Sequence, residues 1–449
     1  MPRFGSRTGR RAGWAMGAVP RSTVVVGALT LVVFALIGLV SCSLDDLGPK
    51  RDPLVVRPDR EPDIRVRVRE RASLVTIDGP GVLRLRWDGG TGVDAIAAPA
   101  EASVDESGAL VLRGRRGEVF THRPGADLTI AEPETESLTL DGHPFPGSIT
   151  LMPRTDASGR VFDVIAKMGV EEYLPGVIAK ELYQSWPLAT FQAQAVCARS
   201  YALHERARSR KAGRAYDVEA TTQDQAFIGE TDLAVAHDAV TSTRGQVLTW
   251  QGQVLRAYYS STSGGRAASA ADTWPTGPGY EFNLAAPLQA APREYADEKS
   301  PAYRWERELG VARLSLRMRR WGEENGNTIK QIGQVRAIAA SQVNSVGRPS
   351  RYVVRDDRGR EFGLAAEELR IACNWPVPGV PDVTAQERVR SGDLAAKIEG
   401  DKVLISGRGF GHGVGMCQYS AAEFARRGWG YRQITLHFYP GAQLERIYP

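Results

Sequence analysis

Residues Val170 to Leu203 read VEEYLPGVIAKELYQSWPLATFQAQAVCARSYAL, and this pattern predicts two helical segments with a break between them. The second segment has a defined start, because Ser185 can cap it and Trp186 and Pro187 fall in the first turn, where a missing N–H is tolerated. One face of this segment is rich in alanine, which lets a neighbouring element approach closely. That face comprises Leu188, Phe191, Ala195, Ala198 and Ala202.

The first helical segment places a carboxyl group on a partly buried face. Glu181 follows Val177 and Ile178 at helical spacing. A carboxyl group held there would be desolvated and its pKa raised, as a general acid near neutral pH requires. The alternative is a solvated glutamate at a helix end, which is the commoner setting for this residue type. Arg199 on the second segment has the same alternative, a solvated side chain lying over its own stem.

Four parts of the stretch follow a long spaced pattern. They are E-x-Y-L-x-G-V at Glu171 to Val177, the acidic Glu181, the helix entry Trp186–Pro187, and Gln192 to Ala202, which fits K/Q-A-Q-A-x-x-A-R-[ST]-Y-A. In this pattern the chain resembles the stage II sporulation protein D family, also called the SpoIID/LytB domain. The resemblance implies work on peptidoglycan glycan strands, by enzymes that look like lytic transglycosylases cleaving the bond between N-acetylmuramic acid and N-acetylglucosamine.

A second segment resembles the S-[SA]-x-G-G-x-T loop of the same family. It runs from Ser260 to Arg266 and contains Ser263, Gly264 and Gly265. Small hydroxyls and two glycines let backbone N–H groups come close to a ligand, and a sugar fits that description. The alternative is an ordinary flexible turn.

The third segment, Gly407 to Gln418, has glycine at every second position up to Gly415. On an extended chain this would leave one face bare for another backbone or a flat ligand, with His412 among the side chains projecting on the other face. The segment is similar to the family's G-[RH]-G-x-G-H-G-V-G-[ML]-S-Q-Y-G-A, with Cys417 in place of Ser and Ser420 in place of Gly.

The resemblance implies one acid/base residue, Glu181. Most glycosidases need two carboxyl groups, whereas a lytic transglycosylase can work with one, because the muramic acid C6 hydroxyl attacks within its own sugar. Glu171 and Glu172 are poor candidates for a second carboxyl, because they suit the first turn of a helix electrostatically. The residues that would line the sugar groove are Arg199, Gln225, Ser260, Ser263, Gly264, Gly265, His412 and Gln418.

Two rival interpretations remain. Some members of the family are described as enhancers of a cell-wall amidase, which bind the wall or the amidase and catalyse nothing; the retained Glu181 favours the enzyme. Other relatives carry Cys and His that can hold zinc, but the comparable segment here, Gln223 to Phe227, has neither. We therefore expect no metal and no cofactor.

The composition suits an exported globular protein. The 449 residues are 42% hydrophobic and 24% charged, enough for two or three domains, and the net charge of +5 suits a protein beside an anionic envelope polymer. No RNP, zinc-finger or basic-helix pattern occurs, so nucleic acid is not expected as a partner.

The N-terminus has the form of an export signal. Five arginines precede an apolar run from Val24 to Val40, which predicts a signal peptide over residues 1–41. The run ends Leu39-Val40-Ser41-Cys42, which resembles a bacterial lipobox and predicts lipidation of Cys42. The alternative is an uncleaved membrane anchor, for which the run is short. Residues 42–62 predict a polar tether, so the rest of the chain would lie in the cell envelope, anchored to the membrane.

Beyond the tether we predict an α+β fold. Residues 63–162 form a β-rich N-terminal portion, in which Ile64 to Arg69 alternate apolar and arginine residues and the arginines face water. Residues 163–449 form the mixed helix and strand SpoIID-like domain. Cys197 reads as a small core residue, and Cys373 and Cys417 could pair.

Overall fold

The computed structural model describes residues 58–87, 94–131, 137–156, 159–221 and 224–449. The predicted signal peptide, Cys42 and residues 42–57 of the predicted tether lie outside the described residues. Within these ranges no helix combines the length and the apolar character that a membrane span needs. Helices and strands are both abundant and the sheets are several, so the fold is α+β, as predicted.

The N-terminal portion consists of strands that build two sheets. Their orders are β13-β1-β12-β11-β8-β3-β4 and β10-β9-β2-β5-β6-β7, in which β13 is Val218–Glu219. The other strands are β1 (Asp63–Ala72), β2 (Leu74–Asp78), β3 (Val82–Arg86), β4 (Asp94–Ala97), β5 (Ala100–Val104), β6 (Leu110–Gly114), β7 (Val119–Thr121), β8 (Leu128–Ala131), β9 (Leu138–Leu140), β10 (His143–Phe145), β11 (Ser148–Asp156) and β12 (Gly159–Gly169).

Two arginines of β1, Arg65 and Arg67, do not face water as expected, whereas Arg69 is exposed. The strand lies between β12 and β13, so both of its edges are occupied. Arg67 is buried and pairs with Asp163 and Glu219, and Arg65 pairs with Asp217. The alternation in the sequence therefore marks a strand covered on both faces, and on the second face carboxylates pair with Arg65 and Arg67.

The remaining elements follow β12. The helices are α1 (Val170–Glu181), α2 (Leu188–Lys211), α3 (Ala234–Ser242), α4 (Ala270–Thr273), α5 (Val311–Glu324), α6 (Ala366–Cys373), α7 (Gln418–Arg426) and α8 (Tyr431–Phe438). The strands are β14 (Gln246–Trp250), β15 (Gln253–Val254), β16 (Tyr259–Ser260), β17 (Arg304–Gly310), β18 (Val335–Val343), β19 (Pro349–Asp356), β20 (Glu361–Ala365), β21 (Leu394–Glu399), β22 (Lys402–Arg408), β23 (Met416–Cys417) and β24 (Gln443–Arg446).

The two helices predicted over Val170 to Leu203 are present, but the second starts later than expected. α2 begins at Leu188 with Pro187 at the cap position and no side-chain cap, so Ser185 and Trp186 precede the helix. Leu188 is 43% exposed, whereas the rest of the predicted alanine-rich face is buried. Proline fixes its own backbone angle and donates no N–H, which accounts for a helix that starts without a hydroxyl cap.

One hydrophobic core joins the N-terminal sheets to α1 and α2. It runs from Ile64 and Leu151 in the sheets to Leu174 and Phe191 in the helices. The boundary predicted at residues 162 and 163 lies inside β12, which pairs with β1 and leads directly into α1. The helix that carries Glu181 therefore rests on the β-rich portion.

Residues 304–408, here called the insert, form a separate core. β17 and β22 are its first and last strands and pair antiparallel, so the chain enters and leaves at one place, with Arg304 opposite Arg408. α5 and α6 pack on its sheets around Trp321 and Tyr352. In the chain, the insert lies between the Ser-Gly-Gly loop and the glycine-alternating segment, so it can affect how both loops are placed.

The three described cysteines are free thiols. Cys197, Cys373 and Cys417 are all buried, and the pairing of Cys373 with Cys417 is not formed. Cys373 belongs to the core of the insert and Cys417 to the core around α7 and α8, so each is a small core residue.

Candidate active site

Glu181 is the last residue of α1 and stands at the edge of the buried core. Val177 and Ile178 are fully buried, while the Glu181 side chain is half-buried and reaches solvent. The predicted geometry, a carboxyl group on the partly buried side of the helix, is therefore present. Such a group can meet a substrate and is still largely removed from water.

The surroundings of Glu181 favour its protonated form. Burial raises the pKa of the carboxyl above its usual range. The pKa is lowered in part by three groups: Gln418, the backbone N–H of Ala226 and Lys180. The C-terminal end of a helix carries a partial negative charge, which also disfavours a carboxylate there. A carboxyl balanced in this way can hold a proton and can also stabilise the anion left when the proton departs.

Two glutamine amides extend from Glu181 into the core. Gln418 at the start of α7 donates from Nε2 to Glu181 Oε2 at 3.2 Å and to Gln194 Oε1 at 3.4 Å. Gln194 is fully buried, and its Nε2 has no hydrogen-bond partner among the described residues. An unpaired buried donor is costly, so this amide is a candidate partner for a buried water. Gln418 was predicted to line a sugar groove, and its contact here is with the acid itself.

Gln225 lies beneath Glu181 and does not reach the surface. It is fully buried, donates to the hydroxyl of Tyr259 at 3.0 Å and to the Ala198 carbonyl at 3.3 Å, and accepts from Tyr173 at 3.2 Å. Glu181 contributes to raising the pKa of Tyr173 and of Tyr259, after burial, which places both phenols near the acid. Gln225 was predicted to line the sugar groove, and in this structure it is buried and bonds internal groups beneath Glu181.

An aromatic surface adjoins Glu181. Tyr183, Trp186 and Tyr419 form it, with ring centroids 5.2 Å apart for Tyr183 and Trp186 and 5.1 Å apart for Trp186 and Tyr419. Tyr183 is 58% exposed, and Tyr419 follows Gln418 directly. Flat apolar faces with hydroxyl groups at their edges are suited to stacking against a sugar ring.

The Ser-Gly-Gly loop is held from within the protein. Its strand β16 pairs in parallel with β23, Ser260 opposite Cys417. The Gly264 N–H donates to Asp297 Oδ2 at 2.7 Å, so the ligand of this backbone group is an internal carboxylate. Ser263 and Gly264, which were predicted to line the sugar groove, are buried, and the Ser263 Oγ has no hydrogen-bond partner among the described residues. Ser260 is buried with an unpaired Oγ, and Gly265 is the exposed member of the predicted set.

The glycine-alternating segment is not extended. Gly409, Gly411, Gly413 and Gly415 all adopt positive φ between 71° and 94°, a region that L side chains rarely occupy. A Cβ on Gly413 would lie 2.5 Å from Arg348 Nη1. Arg348 is a buried residue of the insert that donates to the carbonyls of Ser263, Arg266 and His412 at 3.1–3.2 Å. The insert therefore ties the two loops together through one guanidinium group.

His412 faces the insert side of these loops. Its Nδ1 accepts from the Val414 N–H at 3.0 Å, and its ring lies against Trp274 and Tyr258. Burial lowers the pKa of His412 to about 4, Arg370 and Arg348 act in the same direction, and Glu367 opposes them, so the ring is neutral at pH 7. Within the described ranges none of its hydrogen bonds is to Glu181 or Gln418. His412 and Gln418, which were predicted to line one groove, therefore have different hydrogen-bond partners.

Arg199, which was also predicted to line the sugar groove, lies inside the protein. It is fully buried and donates from Nε and Nη2 to the two carboxylate oxygens of Glu171 at 2.9 and 2.7 Å. Tyr448 and the Gly245 N–H bind the same carboxylate at 2.6 and 3.1 Å. Arg199 therefore joins α2 to α1 and, through Glu171, to the C-terminal segment. Glu171 is thus the partner of a buried arginine, and not only a favourable charge at a helix N-terminus.

Two further buried carboxyl groups were not foreseen. Asp224 accepts from the Tyr201 hydroxyl at 2.8 Å and from the Glu219 N–H at 2.9 Å, and burial raises its pKa. Asp297 is fully buried, and burial raises its pKa as well. Both are held by internal partners, so neither is free to act beside Glu181. Asp297 and Arg348 come from segments without a local motif, so no signal in the sequence could have found them.

Residues 158–250 match the family described as Stage II sporulation protein, SpoIID. This part of the chain is similar to the SpoIID family. The matched residues include Glu181, Arg199 and Gln225, whereas His412 and Gln418 lie beyond them. The family match therefore covers the acid and its floor, and the fold brings in Gln418 from outside it.

Curated relatives agree at low identity. An uncharacterized protein of Brachyspira hyodysenteriae is 24% identical over 348 residues, which cover 75% of this chain and 81% of that protein. Stage II sporulation protein D of Bacillus subtilis is 24% identical, over 62% of this chain and 75% of its own length. The Amidase enhancer of Bacillus subtilis is 26% identical, over 60% of this chain and 40% of its own length. These similarities support a function related to the cell wall.

Proposed function

We propose that this protein is a peptidoglycan lytic transglycosylase in which Glu181 is the only acid/base residue. The observation that carries the proposal is the half-buried Glu181 carboxyl, with a pKa raised by burial, held by Gln418 beside an exposed aromatic surface. Two other buried carboxyl groups of the described residues, Asp224 and, at the other end of α1, Glu171, are engaged by internal donors.

The first step uses the protonated acid. Glu181 gives its proton to the glycosidic oxygen between N-acetylmuramic acid and N-acetylglucosamine, and the bond from that oxygen to the muramic C1 breaks. Burial supports this step, because a carboxyl that keeps its proton near neutral pH is a competent general acid. The N-acetylglucosamine portion leaves as an alcohol.

The second step uses the carboxylate that remains. The muramic C6 hydroxyl bonds to C1 and its proton passes to Glu181, which restores the acid and leaves a 1,6-anhydro sugar. The Gln418 amide and the Ala226 N–H can stabilise the anion between the two steps. No water is consumed, so a second carboxylate to activate water is not needed.

Substrate would be placed by the aromatic surface. Tyr183, which is 58% exposed, and the half-buried Tyr419 offer a stacking face next to Glu181, and the buried Trp186 ring packs against both. Gln225, Arg199 and His412 act on this site only through other residues, since each is engaged internally.

The test is product analysis of purified glycan strands by mass spectrometry. Wild-type protein should yield 1,6-anhydro-muramic ends and no reducing muramic ends. Reducing ends would mean hydrolysis and would contradict a mechanism with one carboxyl group.

The printed name of one relative, the Amidase enhancer, supports a second candidate, a wall-binding partner of a cell-wall amidase. The same digestion separates the two. If wild-type protein cleaves no strand but stimulates an added amidase, and Glu181→Gln stimulates it equally, the enhancer function is favoured and the acid has no catalytic role.

We also propose that the protein acts in the cell envelope, attached to the membrane through Cys42. The support is the arginine-rich start, the apolar run and the lipobox-like Leu39 to Cys42. A clickable fatty acid should label wild-type protein and not Cys42→Ala. Equal labelling of both would exclude this attachment.

A further inference from the structure

One end of the insert presents arginines that have no acidic partner. Arg307 and Arg390 lie close enough for their charges to repel, and this repulsion, after burial, lowers the pKa of Arg307. Arg307 donates to the carbonyls of Arg388 and Glu306, and Arg390 donates to that of Pro301. No carboxylate of the described ranges forms an ion pair with either, although most buried or half-buried arginines of this chain have one.

An exposed aromatic ring lies between this charge and the loops of the site. Phe410 is 40% exposed, and the Arg390 guanidinium lies 5.9 Å from its ring centroid. Phe410 belongs to the glycine-alternating segment, and the Gly411 N–H donates to the Arg390 carbonyl at 2.9 Å. Exposing a large apolar side chain to water beside two arginines without ion pairs is unfavourable. The arrangement suits a ligand that has both a flat apolar part and a negative charge.

This patch is linked to the Glu181 site through backbone hydrogen bonds. Phe410 and Thr262 bond through both their backbone groups, at 2.8 and 3.2 Å, and the Tyr419 N–H donates to the neighbouring Ser261 carbonyl at 3.1 Å. Tyr419 is part of the aromatic surface, and its neighbour Gln418 holds Glu181. One unbroken series of contacts therefore leads from the acid to the arginines.

We propose that Arg307, Arg390 and Phe410 bind a carboxylate carried by the glycan strand while the sugar chain occupies the Glu181 site. The proposal rests on the proposed function in its choice of polymer. A guanidinium group pairs with a carboxylate by two parallel hydrogen bonds, and Arg390 retains donors for this purpose. The carboxylate has two sources in peptidoglycan, the lactyl group of a muramic acid without its peptide and the acidic groups of an attached stem peptide.

The experiment measures binding, so it does not depend on cleavage. Glu181→Gln protein, which retains the groove, is compared with the same protein carrying Arg307→Gln and Arg390→Gln, on strands freed of peptides, on strands that bear stem peptides, and on strands whose carboxyl groups have been converted to methylamides. The matched control carries Arg336→Gln and Arg351→Gln, two exposed arginines of the insert that have no ion pair.

Loss of both arginines should weaken binding to carboxylate-bearing strands by about tenfold or more, and the loss should shrink as salt rises. Binding to neutralised strands should not change, and the control should bind as the parent does. The strand type that shows the larger loss identifies the source of the carboxylate.

Three results would overturn the proposal: unchanged binding in the arginine variant, an equal loss on neutralised strands, or an equal loss in the control. If the variant with both arginines replaced does not fold, the Glu181→Gln parent alone tests the proposal. It should bind neutralised strands less tightly than carboxylate-bearing strands, and equal binding to both would refute the proposal. If strands bind with this selectivity and the wild-type protein never cleaves them, the arginine site is supported and the transglycosylase function is excluded.

Discussion

Glu171 and Glu181 stand at opposite ends of α1 and have opposite surroundings. Glu171 is buried against Arg199, Tyr448 and the Gly245 N–H, and Arg199 holds its pKa below the usual range even though burial acts to raise it. Glu181 has one amide and one backbone donor, so burial prevails and raises its pKa. The comparison teaches that partners, and not residue type or burial alone, decide which glutamate can hold a proton at neutral pH.

The largest effect should come from removing the proton of Glu181. In Glu181→Gln the side chain keeps its size and loses its acid, so cleavage of glycan strands should slow by about 10²–10⁴-fold. The free energy of unfolding should hardly change, because an uncharged amide at a half-buried site relieves desolvation. Rates on purified strands and urea unfolding of the same preparations test this, and unchanged rates would move the acid elsewhere.

Substitution of Glu171, at the opposite end of α1, should lower the stability of the protein. Glu171→Gln leaves the Arg199 guanidinium buried without a charge partner, which should lower the free energy of unfolding by about 3–5 kcal/mol. Urea unfolding measures the loss. The control is Glu171→Gln combined with Arg199→Met, which removes both charges and should recover much of it. A large loss of catalytic rate in folded Glu171→Gln protein would show that the two ends do not divide the roles as described.

A smaller effect should appear in the pH profile when Gln418 is changed. Gln418→Leu removes a donor that stabilises the Glu181 carboxylate, so the pKa of Glu181 should rise further and the alkaline limb of kcat/KM should move to higher pH. Gln192→Leu is the matched control, because Gln192 lies on α2 and bonds Ser242, away from the acid. A profile that stays in place would mean that Gln418 does not set the protonation of Glu181.

The smallest effect should be seen in the pH dependence of stability, and the two ends should differ in sign. Glu171 has a lowered folded pKa, so its contribution is present above the unfolded pKa and is lost as pH falls through the folded one. Glu181 has a raised folded pKa, so its favourable contribution is present below the unfolded pKa and is lost as pH rises through the folded one. Unfolding curves from pH 3 to 8 should therefore show Glu171→Gln less stable and Glu181→Gln slightly more stable than wild type at neutral pH, both approaching it in acid.

Much of the fold could be predicted because local patterns set it. The alternation of Ile64 to Arg69 forms β1, and the apolar spacing before Glu181 forms α1. The start of α2 was placed too early, because Ser185 resembles a cap while Pro187 begins the helix. No strand was predicted at β5 or β7, since AEASV alternates only small apolar residues with polar ones and VFT is three residues long, so both depend on neighbours in the sheet.

The site was harder to predict, because burial and pairing are properties of the whole fold. A motif identifies Arg199, Gln225 and His412 as residues that matter, but it cannot say whether they face a ligand or hold another residue. Arg199 pairs with Glu171, and Gln225 bonds two buried tyrosines. Gln418 was predicted to line the sugar groove, but its contact with Glu181 joins residues from distant parts of the chain, which no local pattern shows.

The guanidinium of Arg348 has a consequence for anyone seeking a shorter version of this protein. Because β17 and β22 lie side by side, the insert looks removable, and a tight turn could join its two ends. Its excision would leave three carbonyls of the neighbouring loops without their donor and would open a gap beside Gly413. A truncated protein would need a new cation or a filled gap at that point, so the smallest working unit includes the insert.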